Sequence, residues 1–201
     1  TVMPVGFTSY SLYLKPGAFG FHTANSDVYG IANTSGLANR WTHVAAVYDR
    51  ATGTRRLYAN GIKVAERADP PITLLPSNAK AGIGADWASS VVPEGFFAGL
   101  IDELAIYHHP LTLSEILAIY LAGSEGKCKT PSPPCVPTPP GLAGSWRGEA
   151  NALDELGNFN GVGVNGVQYG PGVKGVAFNF DGLTQYVELP SSAGLNPSGS
   201  F

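Results

Sequence analysis

Four histidines, two cysteines and fifteen acidic residues are the groups that could carry chemistry in this chain of 201 residues. Their spacing assembles no familiar catalytic motif. The sequence has no G-x-S-x-G nucleophile elbow, no H-E-x-x-H zinc site, no Walker loop, and no G-x-G-x-x-G that follows a strand and opens a helix. Asp102 and Glu103 are adjacent, and adjacent residues of a strand point to opposite faces, so they do not read as a facing acid and base. His43 lies in an apolar run of β-formers, where a hydrogen-bonded structural histidine is expected rather than a metal ligand. His108 and His109 precede Pro110 with no further spaced ligand, and read as surface residues.

Cys128 and Cys135 frame a Pro-rich run and match neither a CxxC pattern nor a dense disulfide scaffold. In an oxidising compartment a local disulfide would close that loop; two free or crosslinking thiols are the alternative. Asp154 to Gly161 carries Asp and Asn at alternating places but lacks the closing Glu of an EF-hand, so it reads as a turn-rich loop. Asp86 and Trp87, with Phe96 and Phe97 across a Ser-rich loop, are the residues that could offer a sugar an aromatic platform with a polar neighbour; aromatics beside strands otherwise belong to the core. Asn33-Thr34-Ser35 is a glycosylation sequon, meaningful in a eukaryotic secretory setting.

Any such site must be positioned by strands. Gly (26) and Pro (16) make up about a fifth of the chain, against roughly 12% on average, which disfavours long helices. Hydrophobic residues are 44%, enough for a core, so wholesale disorder is excluded. Charged residues are only 13%, and the net charge of −3 leaves no basic face for phosphates, which argues against nucleic acid as a partner. This balance suits a secreted or surface β-protein. Thr1 to Pro4 show no basic n-region or apolar h-region. The most apolar stretch, Phe96 to Tyr107, is broken by Asp102-Glu103, so no membrane insertion is expected.

Six prolines between Pro131 and Pro140 mark a boundary, because such a run cannot donate ladder hydrogen bonds and favours an extended, semi-rigid form. Before it, strands are predicted at Tyr10–Leu14, Trp41–Tyr48, Arg56–Ala59, Ile62–Ala65, Ala81–Gly84 and within Gly95–Tyr107. Asn60-Gly61 supplies the two positive φ angles of a type I′ hairpin. Thr112-Leu113-Ser114-Glu115 is a capping box, and Leu113, Ile116, Leu117 and Tyr120 follow at helical spacing until Gly123. After the boundary, strand patterns recur at Gly144–Trp146, Val162–Tyr169, Val176–Phe180 and Gln185–Leu189. Those alone cannot bury a face and need a second sheet.

Four motifs in order, Trp41-x-His43-Val44-Ala45-x-x-Tyr48-Asp49, Arg56-Leu57-Tyr58-x-Asn60-Gly61, Phe97-x-Gly99-x-Ile101-Asp102-Glu103-x-x-Ile106-Tyr107 and Leu111-x-x-x-Glu115-Ile116, resemble the C-terminal half of a laminin-G-like (concanavalin A-like) module. Trp146-x-Gly148-Glu149, Asp154-x-x-Gly157-Asn158-x-Asn160-Gly161, Gly175-x-Ala177-Phe178-x-Phe180-Asp181-Gly182 and Tyr186-Val187 resemble its N-terminal half. The halves stand in reverse order, as in a tandem or permuted repeat. Joining Phe201 to Thr1 gives a segment similar to the strand that follows the family's N-terminal half. Met3 to Ser9 is too short for the strand, loop and returning strand that the family places there.

The resemblance implies an all-β, antiparallel jelly-roll β-sandwich with one short helix. It divides the chain into residues 1–126, the Pro-rich linker 127–140, and residues 141–201. Two foldings satisfy it: residues 141–201 complete residues 1–126 of the same chain, or those of the next copy in a head-to-tail filament. An extended linker of about 3.1 Å per residue spans roughly 40 Å and permits both. The family's glucanases carry acidic residues alternating on one strand, which adjacent Asp102 and Glu103 do not reproduce, so no enzyme is expected. Where the family builds calcium sites, this sequence has Glu149, Asp181 and Asp102, implying a structural calcium that clamps the halves; a turn-forming Asp181 and a hydrogen-bonded Asp102 are the alternatives. The expected function is a non-catalytic extracellular or cell-surface adhesive repeat with neighbouring copies as partners. The alternative is a carbohydrate-binding module for glycans, appended to a glycoside hydrolase.

Overall fold

The computed structural model describes residues 2–6, 10–15, 18–23, 26–31, 37–71, 81–86, 92–128, 136–195 and 200–201. In chain order, β1 (Val2–Gly6), β2 (Tyr10–Lys15), β3 (Ala18–Thr23) and β4 (Ser26–Ile31) form one antiparallel meander, and β5 (Val44–Asp49), β6 (Thr54–Ala59) and β7 (Ile62–Ala68) form a second. The short strands β8 (Ala81–Ile83), β9 (Ala98–Ile101) and β10 (Leu104–Tyr107) lead to the helix α1 (Leu113–Ala122). After β11 (Lys127–Cys128) and β12 (Val136–Pro137) come β13 (Leu142–Trp146), β14 (Val162–Val164), β15 (Gln168–Pro171), β16 (Val176–Asp181) and β17 (Tyr186–Leu189).

The largest sheet has the order β14-β17-β8-β1-β2-β3-β4; the others are β5-β6-β7, β15-β16-β9, β10-β13 and the parallel pair β11-β12. One core joins them. Phe19 and Phe21 of β3, Tyr48 and Leu57 of the second meander, Ile83 of β8, Trp146 of β13, Phe178 of β16 and Val187 of β17 are all buried in a single cluster. The architecture is an all-β antiparallel jelly-roll sandwich with one short helix.

Local sequence accounts for the corners. Asn60 (φ 50°) and Gly61 (φ 75°) make the type I′ turn between β6 and β7. The Asn60 Oδ1 accepts the His43 amide at 3.0 Å. A Cβ on Gly61 would lie 2.8 Å from Leu117 and 3.1 Å from Tyr120, so this glycine also admits the helix. At the start of α1, the Thr112 hydroxyl accepts the Glu115 amide and the Glu115 carboxylate accepts the Thr112 amide at 2.8 Å, a reciprocal cap. Its fully buried residue, Ile116, packs on Val47 and Tyr58.

One expectation changes. The strand expected through Asp102-Glu103 is broken there, because Glu103 takes a left-handed backbone (φ 51°) that separates β9 from β10. Within the linker 127–140, Lys127 lies opposite Val136, and the Val136 amide donates to the Gly126 carbonyl at 3.2 Å; residues 129–135 lie outside the described residues.

Candidate functional site

Residues 141–201 pair with residues 81–107 along three ladders of the same chain. Val187 and Leu189 lie opposite Ile83 and Ala81, Phe178 and Phe180 opposite Ile101 and Gly99, and Leu104 opposite Trp146. The seam between the two blocks is therefore made of main-chain ladders, along which Ile83, Trp146, Phe178, Val187 and Leu189 are fully buried and Ile101 and Leu104 partly so. Farther along the chain, Phe201 exchanges both main-chain hydrogen bonds with Tyr48, and its ring packs 4.4 Å from that of Tyr10.

Charges cross the same seam. Glu103, aimed by its left-handed backbone, meets Lys127 at 3.0 Å and Arg147 at 3.4 Å, and Arg147 meets Glu155 at 2.9 Å. Lys127 is almost wholly buried. Beside them, the buried Asp154 accepts the amides of Ser145, Leu156, Asn158 and Phe159. That carboxylate fixes the loop whose Phe159 carbonyl accepts the Trp146 indole at 2.9 Å. This network was not anticipated from sequence, apart from the turn-rich character of Asp154 to Gly161.

Between β5 and β10 the sandwich holds an apolar cavity of about 500 Å³. Leu12, Leu14 and Phe19 wall it on the side of the large sheet, and Leu111, Ile116 and Ile119 on the side of the helix. Two polar atoms of its lining, His43 Nδ1 and Tyr107 Oη, are buried with no hydrogen-bond partner. Burial, reinforced by Lys127, holds the His43 imidazole neutral, with its pKa lowered to about 4. Burial likewise pushes the Tyr107 phenol above its usual range.

Residues 5–117 match the family described as the concanavalin A-like lectin/glucanases superfamily, in its laminin-G-like branch. The chain belongs to that superfamily. No curated protein and no solved structure matches it.

In this laminin-G-like unit the carboxylates singled out from sequence hold turns. Asp102 accepts the Lys174 amide at 3.0 Å and the Glu103 amide at 2.8 Å, and Glu149 accepts the Val176 amide at 3.2 Å. Both therefore grip the turn between β15 and β16. A Cβ on Gly175 would fall 2.2 Å from the Glu149 carboxylate. Burial raises the Asp102 carboxyl pKa against the pull of those amides. Asp181 stands at the other end of β16, about 17 Å along the strand, where it accepts the amides of Leu183, Thr184 and Gln185. Those bonds hold its pKa below the usual carboxylate range.

A calcium ion takes six to eight oxygens within about 2.6 Å, and these three side chains do not fit one such site. Among the described residues no group of three or more His, Cys, Asp or Glu is gathered to hold a metal.

Of the residues considered for sugar binding, Asp86 and Phe96 are among the described residues. Asp86 is buried and exchanges main-chain hydrogen bonds with Glu94 at 2.9 Å, and Phe96 packs on Tyr186 at 6.2 Å between ring centres. Trp87 lies outside the described residues, as do Cys135 and the Cys128 side chain, and with them the expected disulfide. The His108 Nε2 donates to the Gly194 carbonyl at 2.6 Å, another contact between the blocks. Among the described residues no helix is long and apolar enough to cross a membrane.

Proposed function

We propose that this laminin-G-like unit is a non-catalytic, extracellular repeat of a larger surface, adhesive or fibrous protein, in which such sandwiches are strung by Pro-rich linkers and neighbour one another. The observation that carries the reading is the use of its acidic side chains. Asp102, Glu149, Asp154 and Asp181 accept main-chain amides, and Glu103 is held by two cations. A glycosidase needs two carboxyl groups about 5–10 Å apart across a cleft, one of them free to give a proton. The acids named here are engaged in holding turns and the seam. Low charge (13%) and the run of six prolines support a surface setting.

The test is a glycan array run beside a hydrolysis assay on laminarin-like glucans. The reading expects neither a sugar ligand nor released sugar. A glycan ligand lost in Trp87→Ala would replace it with a carbohydrate-binding module, and glucan hydrolysis would replace it with an enzyme.

A further inference from the structure

We infer that the outer face of α1, with the β6–β7 turn beside it, docks on an anionic phospholipid surface, lying on the bilayer rather than crossing it. This goes beyond the role proposed above, and its failure would leave that role standing.

The helix is apolar where a surface helix is ordinarily polar. α1 turns Ile116 into the sandwich, and on the side it leaves in solvent, which usually carries charges, it presents Leu113, Leu117 and Leu121 at i, i+4 and i+8 with Tyr120 beside them. All four are exposed, Leu121 to 70%. Glu115 is the only charged residue of α1, and its carboxylate is occupied by the Thr112 amide and hydroxyl.

The stripe continues off the helix. Gly61 lies against Leu117 and Tyr120, so its neighbour Ile62, 69% exposed, extends the apolar surface onto the hairpin. On the other side of Tyr120, the ring of His43 stands 5.9 Å away, two residues after the exposed Trp41.

Charge selects the partner. Residues 40–67 hold six of the twelve Lys and Arg and two of the fifteen Asp and Glu, a local surplus of four positive charges in a chain of net charge −3. The net charge of the whole chain conceals it. In the ladders Val47 lies opposite Arg56 and Tyr58 opposite Lys63, which puts both cations on the face where Ile116 packs. Arg56 and Lys63 share a single carboxylate, that of Glu66, at 3.1 Å and 2.7 Å, and the exposed Arg40 adjoins Trp41. Aliphatic side chains flanked by Trp, Tyr and cations suit the boundary between anionic headgroups and acyl chains. They suit a protein partner less, because leucine is under-represented among the residues that anchor protein interfaces.

The test is co-sedimentation of the full chain with phosphatidylcholine vesicles containing about a quarter phosphatidylglycerol. The chain is expected to bind, with a blue shift of emission that Trp41→Phe removes. Leu113→Gln combined with Leu121→Gln is expected to weaken binding by on the order of tenfold or more at unchanged Tm, since both leucines are exposed. Arg40→Gln should weaken it by about fivefold, the worth of one cation at an anionic surface. Should the leucine pair unfold the chain, Ile62→Gln on the hairpin takes its place, with a loss of about threefold or more expected. Failure to bind these vesicles would overturn the inference. So would binding that salt abolishes and that neither the leucine pair nor Ile62→Gln weakens, because charge alone would then account for it. A lipid-free, concentration-dependent dimer that buries Trp41 would overturn it too, by giving the stripe to a second copy.

Discussion

Phe201 and Tyr48, far apart in sequence, are paired through both main-chain hydrogen bonds, and their rings lie 5.8 Å apart in the core. Phe201 also meets Tyr10 at 4.4 Å and the edge of Phe21 at 6.1 Å. Because the residue is only 8% exposed, truncating it leaves a cavity among three aromatic rings. Phe201→Ala is expected to destabilise the chain by about 3–4 kcal/mol, read by urea unfolding. A loss below 1 kcal/mol would show that the last residues do not dock on β5.

Glu103 holds two cations that come from different parts of the chain. Removing its carboxylate leaves Lys127, almost wholly buried, without its partner. Glu103→Ala is expected to cost about 3 kcal/mol, because an uncompensated buried charge is worse than no charge at all. The double variant Glu103→Leu with Lys127→Met should recover much of that loss. Equal stability of Glu103→Ala and the parent in urea unfolding would contradict the placement of this network.

His43 sets a pH dependence. Its pKa is about 4 in the folded chain against the ordinary value of 6.5, so between these values the unfolded chain binds the proton and the folded chain does not. Stability therefore falls as pH drops from about 6.5 toward 4, levels off for this group below 4, and is unaffected by it above 6.5. The full effect is on the order of 3 kcal/mol. Asp102, whose pKa is raised, works in the opposite direction near the ordinary carboxylate value, as the folded form takes its proton first. In His43→Gln, urea unfolding between pH 6.5 and 4 should lose most of this slope. An unchanged slope would place the imidazole in water.

Much of this was legible in sequence where the signal is local. The Asn60-Gly61 turn, the Thr112–Glu115 cap and the strands around Trp146 and Phe178 rest on neighbours within a few residues, and the structure has them. What was not legible depends on partners far away. Nothing in Ile101-Asp102-Glu103-Leu104 announces a left-handed Glu103; that conformation accompanies Lys127 and Arg147, which sequence proximity does not link to it. The proline run marked a boundary, but the pairing of Lys127 with Val136 joins residues on either side of the first prolines and has no local signal. Glu149, Asp102 and Asp181 share a carboxylate but not a place, since Asp181 is carried off by the length of β16.

The central claim is that residues 141–201 complete the sandwich of residues 1–126 within one chain, through the ladders β8–β17, β9–β16 and β10–β13. Size-exclusion chromatography with light scattering tests it most directly. The account predicts a single species of 20.9 kDa whose mass does not change with concentration. A dimer or a ladder of higher species, formed by exchange of residues 141–201 between copies, would contradict it.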